Sequence, residues 1–268
     1  MKDWVAWHAA YDDPSSPLSA RLKRVRSHLS DAIDHAPAGR VSLVSLCAGQ
    51  GHDVIGVLPH HPRRDDVRAV LVEADARNAG LARRAAAGQG LSQVEVRQAD
   101  ASLAASFADA LPADVLLLCG IFGNVSDRDI RRTVQAAPAL CHAGATVIWT
   151  RHRRLPDLTP QIRAWFAESG FDEIAFDALE TSVLTSVGVN RLCDAPADTL
   201  PSHRLFTFPA ALQNTSAGLP AGPSGKAAAL PGVVAPAIHS LRARGRADRA
   251  RTVTSKRQGA LAPARGRE

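Results

Sequence analysis

Short apolar runs alternate with helical stretches between Val41 and Thr150. A continuous apolar run of roughly four to eight residues is typical of a strand buried on both faces, whereas apolar positions three or four apart are typical of a helix. This alternation predicts parallel strands joined by crossover helices. The predicted strands span residues 41–46, 69–73, 94–98, 115–119 and 145–150.

Helices are predicted in the gaps between these strands. Residues 75–88 are rich in alanine and arginine and end at a glycine, and residues 103–110 would form a short helix. Residues 127–140 follow Ser126, a residue type that caps helix N-termini. Before the first strand, an apolar stripe with spacings of three and four indicates one further helix. That stripe consists of Leu18, Leu22, Val25, Leu29 and Ile33.

The pattern changes after the fifth strand. Residues 158–169 are predicted as a helix that Gly170 closes, and residues 172–177 as a strand. The runs 186–192 and 204–208 are also typical of strands, but the loop between them is too short for a crossover helix. At least one of them should therefore join the sheet antiparallel. The sequence predicts an α/β fold: a doubly wound, mainly parallel seven-stranded sheet with an antiparallel edge strand and helices on both faces.

Basic residues are concentrated at the end of the chain. The net charge is +6, and residues 216–268 contain ten Lys or Arg against two Asp or Glu, which leaves 22 basic and 24 acidic groups in residues 1–215. Beyond residue 208 the apolar periodicity stops, and the composition is typical of disorder. We therefore predict a helical cap at 1–39, a folded domain at 40–208 and a disordered basic tail at 209–268.

Three interpretations of the tail remain open. It is an inert extension, an arginine-rich arm for nucleic acid, or translated sequence that selection has not shaped. The nearly neutral folded part makes a nucleic-acid partner the least favoured of the three.

The four cysteines are far apart, with no CxxC pair and no histidine at zinc-ligand spacing. They are predicted to be free thiols, and no metal site is expected. No apolar run approaches the roughly 20 residues of a membrane span, and the first residues lack the pattern of a signal peptide. We expect a cytoplasmic protein without a membrane segment.

The first strand runs into Cys47-Ala48-Gly49-Gln50-Gly51, and the second strand ends at Glu73. A glycine turn after a buried strand lets a ligand approach the backbone closely and aims backbone N–H groups at it. Glu73 lies 22 residues beyond Gly51, where a carboxylate can accept hydrogen bonds from both hydroxyls of a ribose. Asp100 follows the third strand, and adjacent carboxyl ends converge on one crevice. The spacing predicts a nucleotide-type ligand.

The order of elements and these motifs resemble class I S-adenosylmethionine-dependent methyltransferases, with a Rossmann-like fold, over about residues 40–208. The resemblance implies that Glu73 holds the ribose, that the Asp100 region contacts the adenine, and that the loop after the fourth strand lies beside the cofactor. Cys47 stands where the family has its first glycine, and Ser45 where it often has an acid. The implied S-adenosylmethionine-binding residues are Cys47, Ala48, Gly49, Gln50, Gly51, Glu73, Asp75, Asp100, Ala101, Gly120, Ile121 and Phe122.

The resemblance further implies methyl transfer to a small-molecule acceptor that the sequence does not identify. Candidates to face the acceptor are Asn124, His152 and Tyr11, together with His8. The Arg-rich surroundings of His152 indicate either a solvated basic loop or a site for an anionic substrate.

Three alternatives remain. An NAD(P)-linked dehydrogenase needs a third small residue where Val54 stands. A non-catalytic binding protein of the same fold is consistent with Ser45 and Cys47. A nucleic-acid methyltransferase would use the basic tail.

Overall fold

The structure, a computed structural model, describes residues 3, 5, 8–181 and 183–209, and seven strands of this part of the chain form one sheet. All described residues belong to the first of the two units into which the chain divides, Met1–Gly218 and Leu219–Glu268. The predicted tail, from residue 210 onward, lies outside the described residues. The strands are β1 (Val41–Leu46), β2 (Val67–Glu73), β3 (Val94–Gln98), β4 (Ala113–Leu118), β5 (Cys141–His152), β6 (Phe171–Leu179) and β7 (Thr185–Leu192).

The strand order is β3-β2-β1-β4-β5-β7-β6. Strands β1 to β5 pair in parallel, whereas β7 pairs antiparallel with both β5 and β6. The predicted mainly parallel α/β sheet with antiparallel pairing at one edge is therefore confirmed. The order reverses between β1 and β4, so the crevice at a switch point opens above these two strands.

Helices cover both faces of the sheet. They are α1 (Pro17–His35), α2 (Val54–Val57), α3 (Ala76–Gly88), α4 (Asp127–Ala136) and α5 (Thr159–Glu168). Short polar side chains cap four of them: Ser16 accepts a hydrogen bond from Ser19 N, Asp53 from Val54 N, Ser126 from Asp129 N, and Asp75 from the first turn of α3. Each cap satisfies an N–H group that has no partner within its helix.

Two predicted helical segments differ in the structure. Residues 103–110 form two 3₁₀ turns, Ala104–Ser106 and Ala108–Ala110, instead of one helix. The helix after the glycine turn is only one turn long, because Pro59 in the following 3₁₀ turn cannot donate to a continuing helix.

The prediction of a strand at 204–208 is wrong. The segment instead crosses over the loop after β3 and helix α4, where its backbone bonds to other parts of the chain. Leu205 N donates to Ser102 O at 2.8 Å, and Leu205 O accepts from Arg132 Nε and Thr133 Oγ1, both at 3.0 Å. Thr207 N donates to the carboxylate of Asp129 at 3.1 Å. These partners replace a strand ladder, while Leu205 and Phe206 are buried in the core.

Two apolar cores lie on opposite faces of the sheet. On one face α1 contributes four buried residues, and α2 and α3 pack beside it; on the other face α4 and α5 surround Trp149. The residues from α1 are Val25, Leu29, Ala32 and Ile33. The N-terminal helix thus shares its core with the sheet strands.

Trp149 of β5 determines the packing of the second face. Its indole Nε1 donates to Asn190 Oδ1 at 2.8 Å, and its ring stacks on Phe166 with centroids 5.8 Å apart. Gly188 lies opposite Trp149 in the β5–β7 ladder, and a Cβ at this position would overlap the indole ring. A glycine is therefore required where β7 passes the largest core side chain.

In the described residues no helix combines the length and the apolarity needed to cross a membrane. The cytoplasmic location stays a prediction.

Leu29→Ala should destabilise the protein by about 2–5 kcal/mol, because a fully buried leucine between α1 and the sheet would leave a cavity. Urea denaturation followed by circular dichroism measures the loss. The control is Lys23→Ala on the exposed face of the same helix, expected to change stability by less than about 0.5 kcal/mol. Equal stability of the two variants would show that α1 does not share the core of the sheet.

Candidate functional site

The carboxyl ends of β1 to β5 border a cavity of about 1000 Å³, here called the central cavity. The N-terminal segment, α1 and residues 204–208 complete its walls. Of the implied cofactor-binding residues, eight line it: Cys47, Ala48, Gly49, Glu73, Asp75, Asp100, Ala101 and Gly120. The acceptor candidates Asn124, His152, Tyr11 and His8 line it as well.

The glycine turn has a left-handed backbone at three positions. Cys47, Gly49 and Gly51 have φ of 55°, 58° and 72°. Glycine adopts this region without strain, whereas a residue with a Cβ does so at a cost of roughly 1–2 kcal/mol. Cys47 therefore has a backbone conformation that only a glycine would adopt without strain.

The N–H groups of the turn bond within the protein. Ala48 N donates to Val72 O at 3.1 Å and Gly51 N to Ala48 O at 2.9 Å, while Gly49 N donates to Glu73. The expectation that these N–H groups point at a ligand is therefore corrected. The turn instead contributes glycines, which let a ligand approach the backbone closely. His8 lies over Gly49 so tightly that a Cβ there would overlap its imidazole.

Glu73 joins the ends of β1 and β2. Its Oε2 accepts from Gly49 N at 2.7 Å and its Oε1 from Asp75 N at 2.8 Å. Burial raises the pKa of Glu73, and the two backbone hydrogen bonds oppose that rise. Each carboxylate oxygen has a second lone pair, so both retain the capacity to accept from a ligand hydroxyl.

Asp75, Gln50 and Gly51 serve the structure around this carboxylate. Asp75 caps α3 by accepting from Arg77 N at 2.8 Å and Asn78 N at 3.0 Å. Gln50 donates to Asn78 Oδ1 at 3.2 Å. Gln50 and Gly51 do not line the central cavity, so their predicted ligand contacts are not present in this geometry.

Asp100 is tied to the segment at 204–208. Its Oδ1 accepts from Ser102 N at 2.9 Å and Ser102 Oγ at 2.6 Å, and its Oδ2 pairs with Arg204. Burial alone would raise the pKa of Asp100, but the bonds from Ser102 and Arg204 outweigh burial and lower it. The carboxylate stays ionised at neutral pH at the β3 end of the central cavity.

The loop after β4 requires a second correction. Ile121 and Phe122, implied to lie beside the cofactor, are fully buried in the core and do not line the central cavity. The turn directs them inward because Gly120 N donates to Thr150 Oγ1 at 2.9 Å and Asn124 Nδ2 to Gly120 O at 2.7 Å. The cavity surface of this loop consists of Gly120, Gly123 and Asn124.

Aromatic side chains from the N-terminal segment meet the glycine turn. The ring of His52 lies 5.0 Å from that of Tyr11 and 5.8 Å from that of His8. Arg21 of α1 donates to the Tyr11 hydroxyl at 3.1 Å. Burial raises the pKa of Tyr11, and burial, together with the charges of His8 and Arg26, lowers the pKa of His52. At neutral pH this wall therefore presents a neutral phenol and a neutral imidazole.

Arg151 and His152 end β5, and Arg154 follows two residues later. Arg151 is buried and donates to Phe122 O, and burial lowers its pKa. Burial, Arg151 and Arg154 together lower the pKa of His152. The carboxyl end of β5 is thus a positively charged part of the cavity wall.

Among the charged and histidine side chains that line the central cavity, sequence reasoning missed four: Arg21, His52, Asp53 and Arg204. His52 and Asp53 follow the glycine turn directly, so their position in the sequence could have indicated that they line the cavity. Arg21 lies off the apolar stripe of α1, where a charged residue normally faces solvent. Arg204 is 104 residues from its partner Asp100, and nothing local indicates that contact.

Two thiols, Cys47 and Cys119, line the central cavity, whereas Cys141 is buried at the start of β5, at the other end of the sheet. Burial raises the pKa of Cys47 and Cys119 well above the ordinary thiol value, and that of Cys141 to about 12. Among the described residues no cluster of three or more His, Cys, Asp or Glu is arranged to hold a metal ion.

No protein-family model and no curated protein matches the sequence. Solved structures do share its fold. Magnesium protoporphyrin IX methyltransferase from Synechocystis PCC 6803, determined with bound SAM, matches with a TM-score of 0.54 at 12% identity, covering 69% of this chain and 88% of that one. A possible exported protein from Bordetella parapertussis matches with a TM-score of 0.50 at 17% identity, covering 66% and 68%. The chain therefore has the Rossmann-like fold seen in a class I methyltransferase.

Cys47→Gly should be more stable than Cys47→Ala by about 1 kcal/mol, because only glycine relieves the left-handed backbone. Chemical denaturation measures both variants. The matched control is Cys141, whose φ is −121°, so that Cys141→Ala should be the more stable of its pair. The same order of stability at both positions would contradict the strained conformation of Cys47.

Asp100→Asn should reduce thermal stability at neutral pH and lose that effect in acid. A carboxylate with a lowered pKa stabilises the fold above its unfolded pKa, near 3.9, and loses the contribution as pH falls through the folded value. Melting temperatures between pH 7 and pH 2.5 should therefore converge for variant and wild type. Asp65→Asn, at a carboxylate whose side chain is 92% exposed, is the control. A difference that does not narrow in acid would rule out the role of the ionised Asp100.

Proposed function

We propose that this chain is an S-adenosylmethionine-dependent methyltransferase that acts on a small-molecule acceptor. One observation carries the proposal: a left-handed glycine turn, the Glu73 carboxylate and the Asp100 carboxylate meet at one cavity above the carboxyl ends of β1, β2 and β3. The solved methyltransferase with the same fold and bound SAM supports it.

The residues present fit this cofactor. Carboxylates on adjacent strand ends accept hydrogen bonds from ribose hydroxyls and an adenine amino group. The central cavity, at about 1000 Å³, is at the upper end of the range for small-molecule sites, so its volume is sufficient for a cofactor together with an acceptor. Glu73 would receive the ribose, and Asp100 with Ala101 the adenine.

S-adenosylmethionine supplies a methyl group on a positively charged sulfur. The chain's own residues then align the acceptor and exclude water, which lowers the barrier without a catalytic dyad. His52 and His152 are candidates to take a proton from an acceptor that must lose one, because each has a depressed pKa and a ring nitrogen that is buried without a hydrogen-bond partner among the described residues.

A dinucleotide site is less consistent with this sheet. The dinucleotide-binding order continues in parallel beyond the fifth strand, whereas here β7 inserts antiparallel between β5 and β6. Val54 also occupies the position of the third small residue of that fingerprint.

Glu73→Ala should weaken binding of S-adenosylhomocysteine about tenfold or more, since charged hydrogen bonds contribute about 1.5–3 kcal/mol. Isothermal titration calorimetry measures the affinity. Glu73→Gln keeps the side-chain volume and should also weaken binding of S-adenosylhomocysteine. The control is Glu168→Ala, at an exposed glutamate outside the central cavity, which should bind S-adenosylhomocysteine as the wild type does.

Circular dichroism checks that each variant is folded. Two outcomes would contradict the proposal: a wild-type protein that binds neither S-adenosylmethionine nor S-adenosylhomocysteine, or folded Glu73 variants that bind as tightly as wild type.

A further inference from the structure

Acidic and basic side chains line different parts of the central cavity, and the order of the strands keeps them apart. Glu73, Asp75 and Asp100 lie at the ends of β2 and β3, whereas Arg151, His152 and Arg154 lie at the end of β5. The order β3-β2-β1-β4-β5 separates the two groups by the strands β1 and β4. The region above β4 and β5, together with the facing part of α1, is called the basic half.

Two arginines of the basic half have no carboxylate partner in the described part of the chain. Arg154 lines the central cavity and has neither a hydrogen bond nor an ion pair within that part. Arg21 donates to the neutral hydroxyl of Tyr11, and its charge acts on Cys119 at the end of β4. Arg204 differs, because Asp100 neutralises it on the acidic side.

Carboxyl groups near the basic half do not cancel it. Asp127 lies 3.8 Å from Arg151 and is largely exposed, and Asp157 acts on the same arginine from the following loop. Asp53 lines the cavity, but it is buried and its Oδ1 caps α2 by accepting from Val54 N at 2.8 Å. Arg21 and Arg154 therefore remain available to an anion.

Neutral imidazoles and an apolar rim accompany these charges. His52 Nε2 and His152 Nδ1 are buried without a hydrogen-bond partner among the described residues. Val183 lines the cavity, and the loop that carries it runs beside the loop after β5, where Arg153 N donates to Leu184 O at 3.0 Å. Leu184 and Leu155 are exposed on these two loops, with Leu155 at 92%. A ligand with an anionic group and an apolar body matches this surface.

We propose that the basic half binds a methyl acceptor that carries an oxyanion, either a carboxylate or a phosphate, on an apolar body. The inference rests on the proposed function, because it assigns the acidic half to S-adenosylmethionine and the remaining half to the acceptor. Arg21 and Arg154 supply charge-assisted hydrogen bonds to the oxyanion, and the rim contacts the apolar body.

The test measures binding of benzoate, phenyl phosphate and neutral benzamide by NMR titration of the full chain, with S-adenosylhomocysteine present. Benzoate or phenyl phosphate should bind at least tenfold more tightly than benzamide, and the tighter of the two identifies carboxylate or phosphate as the oxyanion. Arg154→Gln and Arg21→Gln should each weaken that binding about tenfold. Arg154→Lys should retain most of it.

The matched control is Arg84→Gln, which removes one positive charge from α3 outside the central cavity and should leave binding of the oxyanion unchanged. Affinity for S-adenosylhomocysteine should stay within twofold in all these variants. Benzamide binding as tightly as the anions, or an equal loss in Arg84→Gln and Arg154→Gln, would overturn the inference.

The two proposals fail separately in this experiment. If S-adenosylhomocysteine binds and no oxyanion does, the acceptor class is wrong and the proposed function stands. If S-adenosylhomocysteine does not bind, the proposed function is wrong. Anion binding that is lost in Arg21→Gln and Arg154→Gln would still establish the oxyanion site.

Discussion

The carboxylate of Glu73 is the interaction on which the site depends. This partly buried carboxylate loses hydration, and two backbone N–H groups from different loops replace the lost water. The same bonds fix the glycine turn after β1 against the end of β2. They therefore determine both the shape of the surface that faces the ligand and the position of the Glu73 carboxylate, the main hydrogen-bond acceptor on that surface. A change at this residue therefore acts on local structure and on ligand contacts together.

Local signals explain why much of the fold could be predicted. Strands β1 and β3 have the predicted bounds, and Ser126 and Asp75 cap the helices that follow them, because apolar runs and caps are encoded within a few residues. Glu73 and Asp100 lie at the cavity because a strand end is itself a local feature. The residues on the acidic side of the site could therefore be predicted from the sequence.

Long-range contacts explain what could not be predicted. Residues 204–208 have a strand-like composition, but α4 and the loop after β3 already offer their backbone groups partners. Ile121 and Phe122 are as apolar as a ligand pocket requires, yet the bond from Gly120 to Thr150 turns them into the core. Arg21 faces the cavity only because of where α1 packs. Each outcome depends on residues 30 or more positions away.

The walls of the central cavity come from both ends of the described chain: residues from His8 to Val25 on one side and Arg204 to Phe208 on another. A ribosome releases the first of these walls early and the second only after the whole sheet has been synthesised. A chain shortened before residue 204 would retain every strand but lack the cover over Asp100 and the buried Leu205 and Phe206. Ligand binding can thus report synthesis through residue 208, since the sheet alone does not enclose the site.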